Sequence, residues 1–262
     1  MSTIRSEPGE LWRITLDRPE ARNAVTEEML ANLAAALGDA AADPEARVVL
    51  LAGEGGHFCA GADLAEVGRA PGADGFGYGR VLEGVLASLA DHPLPVVARV
   101  EGAALGAGCQ LLVACDLAVA AEDARIGVPS ARLGIVIPFE SIERLVLAVG
   151  PRRAADLLIT GREVSGREAA VWGLATEAVP PDHVAGRAEE VAELVASSAP
   201  LSVRGSKRAI AAVLRKLSID RETEGYRLAE VDMMSADALA SEDLAEGLRA
   251  RRERRPPRFR GA

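Results

Sequence analysis

At 262 residues the chain is long enough for one large domain or two small ones, and for a core that removes most of its apolar surface from water. Hydrophobic residues make up 49% and charged residues 26%, an ordinary globular balance that excludes wholesale disorder. A net charge of −9 and only four Phe, two Trp and two Tyr argue against nucleic-acid or anionic-lipid partners and against base- or sugar-stacking platforms.

In chain order, ELWRITL from Glu10 reads as a short strand and RPEARN (18–23) as a turn. Thr26 is placed to cap a helix whose first turn holds Glu27 and Glu28, which favour the positive end of the helix dipole. Leu30, Leu33 and Leu37 recur at helical spacing, and the helix is expected to stop near Gly38. RVVLLA (47–52) is a continuous apolar strand of the kind buried on both faces, followed by a glycine-rich loop from Gly53 to Gly61 and a short helix from Ala62. Residues 68–80 read as a mobile loop before a helix at 81–90. PVVARV (95–100) is the next strand, 102–108 leads into a helix at 108–114, and strands follow at 117–121 and 124–128.

The apolar stretch from Gly102 to Ala121 imitates a membrane span. It carries Gln110 and Asp116 inside and is flanked by Glu101 and Glu122, so buried core is expected and no membrane insertion. Beyond it the pattern is mainly helical, at 139–149, 151–159, 166–172, 185–197, 200–215, 220–234 and from 241. Alternating strands and helices followed by helices alone predict an α/β fold, with a core over 1–197 and a helical C-terminal segment over 198–262.

Most catalytic signatures are absent. The sequence has no HExxH, GxSxG or GxxxxGK[ST], and Leu111 breaks the GxGxxG frame of Gly106 and Gly108. His57, His92 and His183 share no metal-ligand spacing, so no metal is expected. Cys59, Cys109 and Cys115 form no CxxC pair and no secretory leader is evident, which predicts a reduced, cytoplasmic chain. The arginine-rich stretch 249–262 (RARRERRPPRFRGA) is either a solvated tail or a seat for a phosphorylated ligand or a neighbouring subunit.

Two small-residue segments remain, GHFCAGADL (56–64) and GAALGAGCQ (102–110), each following a strand and opening a helix. Small residues at such a turn let another group approach the backbone, and a helix N-terminus leaves its first N–H groups unpaired. Either the glycines serve tight turns and packing, or the two turns face each other as a two-donor site for a carbonyl oxygen acquiring negative charge.

The ordered set ITLDRPEARNAV (14–25), FCAGADL (58–64), PVVARVEGAALGAGCQLLVACDLAVA (95–120), IGVPSARLGI (126–135) and SEDLAEGLRARRERRPPRF (241–259) resembles the enoyl-CoA hydratase/isomerase, or crotonase, family over nearly the whole chain. The resemblance implies a crotonase-like spiral of ββα units, with C-terminal helices that build a homotrimer or a dimer of trimers. It implies an acyl-CoA thioester ligand, with coenzyme A present only as part of the substrate and no separate cofactor. By motif position the oxyanion donors are the N–H groups of Ala60 and Ala107. Each such donor supplies about 3–4 kcal/mol of transition-state stabilisation. Coenzyme A contacts fall on Arg22 and Ala24 and on Ala62, Asp63 and Leu64, with Arg258 or Arg260 of the tail as a further phosphate partner.

A family hydratase moves protons with two glutamates, and here the corresponding positions hold Gln110 and Ser130. An amide cannot take up a proton, so ordinary hydration is not expected. Glu140, at a predicted helix start after Pro138 and Phe139, is the candidate replacement acid, alongside a water held by Gln110 and Ser130. Asp63 is read as a helix cap, Asp116 as a buried hydrogen-bonding group, and Cys59 and Cys109 as packing residues. A non-catalytic acyl-CoA carrier or sensor is the alternative reading.

Overall fold

The computed structural model describes residues 3–67, 77–217, 231 and 233–261. A six-stranded sheet is built from β1 (Ile4–Glu7), β2 (Leu11–Leu16), β3 (Val48–Gly53), β4 (Val96–Val100), β6 (Leu117–Ala121) and β9 (Glu177–Val179), in that spatial order. All neighbours are parallel except β1, which pairs antiparallel with β2 at the edge. A second, three-stranded sheet holds β5 (Ala103–Leu105), β7 (Arg125–Gly127) and β8 (Glu163–Ser165). Cys59 bridges Ala104 of β5, which extends the second sheet by one residue into the first glycine turn.

Three strands of the large sheet hand the chain to a short piece of the small sheet, or to a residue bridged to it, and then to a helix. β3 leads through Cys59 to α2 (Leu64–Val67) and α3 (Gly77–Ala90), β4 through β5 to α4 (Ala107–Ala114), and β6 through β7 to α5 (Phe139–Val149). This is the expected α/β fold of ββα-like units with a helical C-terminal region. Val48 to Gly53 of β3 are buried throughout, as a strand covered on both faces must be. α8 (Val184–Ala196) lies against β3, β4 and β6, and α1 (Glu27–Ala42) packs on α3.

Thr26 caps α1 as expected, its hydroxyl accepting the Met29 N–H. The helix does not stop at Gly38, however: a Cβ there would meet nothing within 4 Å, so glycine sits on an open face and the helix runs on to Ala42. It ends at Asp43, whose extended backbone is what the following Pro44 demands. α3 begins at Gly77, four residues ahead of the expected start at 81, so residues 77–80 of the loop expected at 68–80 are helical; the rest of that loop lies outside the described residues. The strands β1, β5, β8 and β9 were not legible, and the region after residue 128 is therefore less purely helical than expected. No described helix is long and apolar enough to cross a membrane; the span-like stretch 102–121 is divided among β5, α4 and β6.

α6 (Pro151–Thr160) and α7 (Gly166–Trp172) complete the core. α9 (Pro200–Leu217) is fastened to it by Lys207, whose buried ammonium donates to Asp116 Oδ2 (2.6 Å) and to the carbonyls of Leu94 (3.1 Å) and Leu89 (3.3 Å). Asp116 hydrogen-bonds as expected but is not buried, its side chain remaining 28% exposed. Residues 233–240 are helical, and α10 (Glu242–Glu253) follows behind the Ser241 cap.

Candidate active site

The first glycine turn is held in place by Asn23. Fully buried and in a left-handed conformation (φ 57°), it accepts the Arg18 N–H at Oδ1 (2.9 Å) and donates from Nδ2 to the carbonyls of Glu54 (2.9 Å) and His57 (2.7 Å). The chain 22–25 then runs beside 60–63. Ala60 N–H donates to the Arg22 carbonyl (2.9 Å), Val25 N–H to Gly61 (2.8 Å), and Asp63 N–H to Val25 (2.9 Å).

Successive N–H groups of an extended segment alternate sides, so Ala60 and Ala62 should face the same way. Gly61, at φ 114°, breaks that alternation. Asp63 rather than Ala62 therefore reaches Val25, and the Ala62 N–H has no hydrogen-bond partner among the described residues. This corrects the sequence-based assignment: the Ala60 N–H is already spent on Arg22, and the unpaired donor of this turn belongs to Ala62.

The second turn brings its donor to the same place. Gly106 (φ 55°, ψ −116°) ends β5 and Ala107 is the first residue of α4, where a backbone N–H has no acceptor within the helix. The two turns pack backbone to backbone. A Cβ on Gly108 would lie 2.2 Å from the Cys59 carbonyl oxygen, and one on Gly61 would lie 3.0 Å from the Leu105 oxygen and 3.9 Å from the Ala107 nitrogen. Glycine is required at both positions by contact. The N-terminal end of α4 adds its partial positive charge.

Ala62 and Ala107 open on one cavity of about 640 Å³. Arg22, Ala60, Leu64, Gln110 and Ser130 line it too, so the structure assembles these sequence-distant candidates in one wall. Ala24, Asp63 and Glu140 are not among the lining residues. The Asp63 carboxylate caps α2 as expected, accepting the Ala65 N–H (2.9 Å), and is clasped by Arg18 Nη1 (2.7 Å). Arg18 also donates to the Ala24 carbonyl (3.1 Å), a structural part that sequence reasoning missed.

Glu140 stands in the first turn of α5, yet only Pro138 of that turn lines the cavity. The carboxylates that do line it are Glu27, Glu66 and Glu163. Glu66 accepts the Glu27 N–H (2.8 Å) and Glu163 pairs with Arg125 (2.7 Å).

Gln110, only 8% exposed, faces both the cavity and a side-chain network that sequence reasoning did not find. Its terminal amide lies 2.7 Å from the Ser141 hydroxyl. Ser141 also contacts the carboxylate of Glu83, which pairs with Arg144 (2.8 Å). Ser130 sits in the 3-10 turn Pro129–Leu133, and its side chain makes no hydrogen bond among the described residues.

That turn is braced by α10. A Cβ on Gly247 would lie 2.6 Å from the Leu133 oxygen, and one on Gly134 3.0 Å from the Asp243 backbone. Ser235 adds a hydrogen bond to the Val136 carbonyl (2.8 Å).

Arginines and glutamates share the cavity wall. Arg22, Arg132 and Arg251 line it with no ion pair among the described residues. Neither Arg258 nor Arg260 lines it: the tail folds back on α10, the Arg258 N–H on Glu246 (2.9 Å) and the Arg260 N–H on Asp243 (2.7 Å). Cys59 and Cys109 are fully buried, and burial pushes both thiols up to about 12, consistent with packing. His57 accepts the Ala103 N–H at Nδ1 (3.1 Å), and burial, with Arg22 and Arg125 nearby, holds its pKa below the ordinary value. It is a neutral brace between the two turns.

A family model described as enoyl-CoA hydratase/isomerase matches residues 7–262. A putative enoyl-CoA hydratase of Thermus thermophilus is 39% identical over 98% of this chain and 100% of its own. A carnitinyl-CoA dehydratase of Proteus mirabilis is 36% identical over 97% and 96%, respectively. Among solved structures, an enoyl-CoA hydratase/isomerase from Pseudoalteromonas atlantica superposes with a TM-score of 0.83 at 32% identity, covering 98% of this chain and 100% of that one. Paired glycine turns, a cavity at their meeting point and similarity over the full length agree, and the chain belongs to the enoyl-CoA hydratase/isomerase family.

Proposed function

We propose that this protein binds an acyl-CoA thioester, polarises its carbonyl between the N–H groups of Ala62 and Ala107, and carries out a reaction other than ordinary hydration. The observation that carries the reading is the pair of unpartnered backbone donors on adjoining glycine turns at one cavity. Two fixed N–H dipoles in a partly dry wall favour a carbonyl oxygen that gains charge, because they need no reorganisation as the charge develops. Arg22, Ala62 and Leu64, which line the cavity, form the coenzyme A side; Ala24 and Asp63, off its wall with their N–H groups on Ala21 and Val25, shape the turn behind them. Arg22, Arg132 and Arg251, with no ion pair among the described residues, suit the ligand's phosphates.

Gln110 and Ser130 stand where hydratase chemistry needs two carboxylates, and each missing acid/base group is worth roughly 10²–10⁴-fold. The oxyanion pair still supports any step that passes through a thioester enolate, with a water between Gln110 and Ser130 as the proton carrier. Glu140, off the cavity wall, has no part in this scheme. A non-catalytic carrier or sensor is the second reading, favoured by the engagement of Glu66 and Glu163 with other groups. Residues 198–262 are proposed as the segment that builds a homotrimer or a dimer of trimers: Leu201, Ile210, Val213 and Leu217 of α9 leave apolar surface exposed.

The test is to incubate the protein with crotonyl-CoA and a longer enoyl-CoA, following the conjugated thioester absorbance while binding is measured. Binding without hydration is expected, and Gln110→Glu with Ser130→Glu should create hydratase activity. Turnover at hydratase rates by the unaltered protein would refute the reading of Gln110 and Ser130.

A further inference from the structure

The contacts around Gln110 contain a contradiction that only one arrangement of hydrogens resolves. The Ser141 hydroxyl touches the Glu83 carboxylate on one side and the Gln110 amide, at 2.7 Å, on the other. A hydroxyl has one hydrogen and can donate to only one of them. The carboxylate, paired with Arg144 at 2.8 Å, is the stronger acceptor and takes it. Ser141 must then accept from Gln110, which requires the NH₂ of the amide, not its oxygen, at Ser141; oxygen and nitrogen of an amide are assigned by such networks. The opposite end of the amide makes no hydrogen bond among the described residues, and Gln110 is one of the residues that line the cavity.

We infer that Glu83 and Ser141 are positioning residues that lock the Gln110 amide with its carbonyl oxygen toward the cavity, so that this wall accepts a hydrogen bond and selects acyl groups, or a water, that donate one. Gln110 thereby keeps the accepting role of a carboxylate while losing its ability to take the proton. The inference rests on the acyl-CoA reading above for the identity of the ligand but not for the orientation of the amide. Gln110 lies one helical turn from Ala107, roughly 5 Å along α4. A thioester carbonyl at Ala107 thus sets the first carbons of the acyl chain beside the amide, and a 3-hydroxyl is the donor within reach.

Replacing Glu83 by Gln should invert the wall. Arg144 needs an acceptor and takes the new amide oxygen, which leaves the new NH₂ to donate to Ser141. The Ser141 hydrogen is then released to the Gln110 oxygen, and the Gln110 NH₂ turns to the cavity.

Two measurements test this. Neutron diffraction from exchanged crystals should place the Gln110 deuterons at Ser141 in the unaltered protein and toward the cavity in Glu83→Gln. Deuterons facing the cavity in the unaltered protein, or no change in the variant, would overturn the inference.

Calorimetric titration with 3-hydroxybutyryl-CoA, 3-oxobutyryl-CoA and butyryl-CoA should show the hydroxy ester binding about fivefold tighter than the oxo ester, the effect of one net hydrogen bond. That order should reverse in Glu83→Gln, and Ser141→Ala should bring the three esters together. Binding of all three with the same order in every variant would sink the positioning role. If none binds while the deuterons lie as stated, the acyl-CoA reading fails and the orientation of the amide stands.

Discussion

The two halves of the cavity wall are built on different principles. The half that holds Ala62 and Ala107 is backbone against backbone: Gly108 against the Cys59 carbonyl, Gly61 against the Leu105 carbonyl, Asn23 pinning the loop behind them. The half that holds Gln110 and Ser130 is made of side chains and of a turn braced by α10. Backbone donors are insensitive to side-chain identity but intolerant of any added atom at the contact. Side-chain groups are the reverse, and the chemistry can be rewritten there by single substitutions while the carbonyl site stays intact.

The sharpest way to break this contrast is Gly108→Ala. Its methyl would lie 2.2 Å from the Cys59 oxygen and 2.9 Å from the Cys59 Cβ, so α4 must move off the first turn. Overpacking of a rigid contact costs about 3 kcal/mol. The denaturant midpoint should fall accordingly, and titration with butyryl-CoA should show binding lost as the donors separate. Gly205→Ala, inside α9 where an added Cβ meets nothing within 4 Å, is the control: it should leave binding unchanged and raise the midpoint by up to about 1 kcal/mol through helix propensity. Unimpaired binding in Gly108→Ala would mean that the close approach of the turns is not what sets the donors.

The same contrast explains what could be read from the sequence. The long elements were legible because α1, β3, β4, β6 and α5 carry their periodicity or apolar runs over five or more residues. β5, β7, β8 and β9 have three residues each, too few for any period to show; only β7 was suspected, as a longer strand at 124–128. The glycine turns were legible as motifs, yet which alanine offers its N–H depends on the sign of one dihedral, φ at Gly61, and composition does not carry it. The Gln110 network was invisible for a different reason: Ser141 lies 31 residues from Gln110 and 58 from Glu83, so tertiary folding alone brings them together. Glu140 was a plausible acid by its helix start, but a helix start fixes only the dipole a carboxylate feels, not the direction in which it points.

A smaller effect should separate the halves by acid. Glu246 of α10 accepts hydrogen bonds from Arg255, Arg249 and the Arg258 N–H, and these hold its pKa well below the ordinary carboxylate value. A depressed folded-state pKa means that the stabilisation is complete above the unfolded value near 4.5 and is lost as pH falls below it. Protection of α10 and the tail against hydrogen exchange, taken relative to the intrinsic rate at each pH, should therefore fall on acidification from pH 5 toward pH 3 before protection in α4 does. Glu246→Gln should remove that pH dependence and show faster tail exchange already at neutral pH. Simultaneous loosening of α4 and α10 would mean that the two halves of the wall do not come apart separately.

The smallest expected effect is on stability at Ser130, and its smallness is informative. The Ser130 side chain makes no hydrogen bond among the described residues, and the turn around it is held by backbone packing of Gly134 and Gly247 against neighbouring segments. Ser130→Ala removes one hydroxyl from a solvated cavity wall and leaves those contacts in place, so its denaturant midpoint should lie within about 0.5 kcal/mol of the unaltered protein. Binding of butyryl-CoA, which presents nothing to that hydroxyl, should be equally unaffected. A catalysed proton transfer that uses a water at Ser130 should nonetheless slow. If turnover on the true substrate is unmoved as well, the proton carrier is held by Gln110 alone, and the side-chain half of the wall reduces to the Glu83–Ser141–Gln110 network.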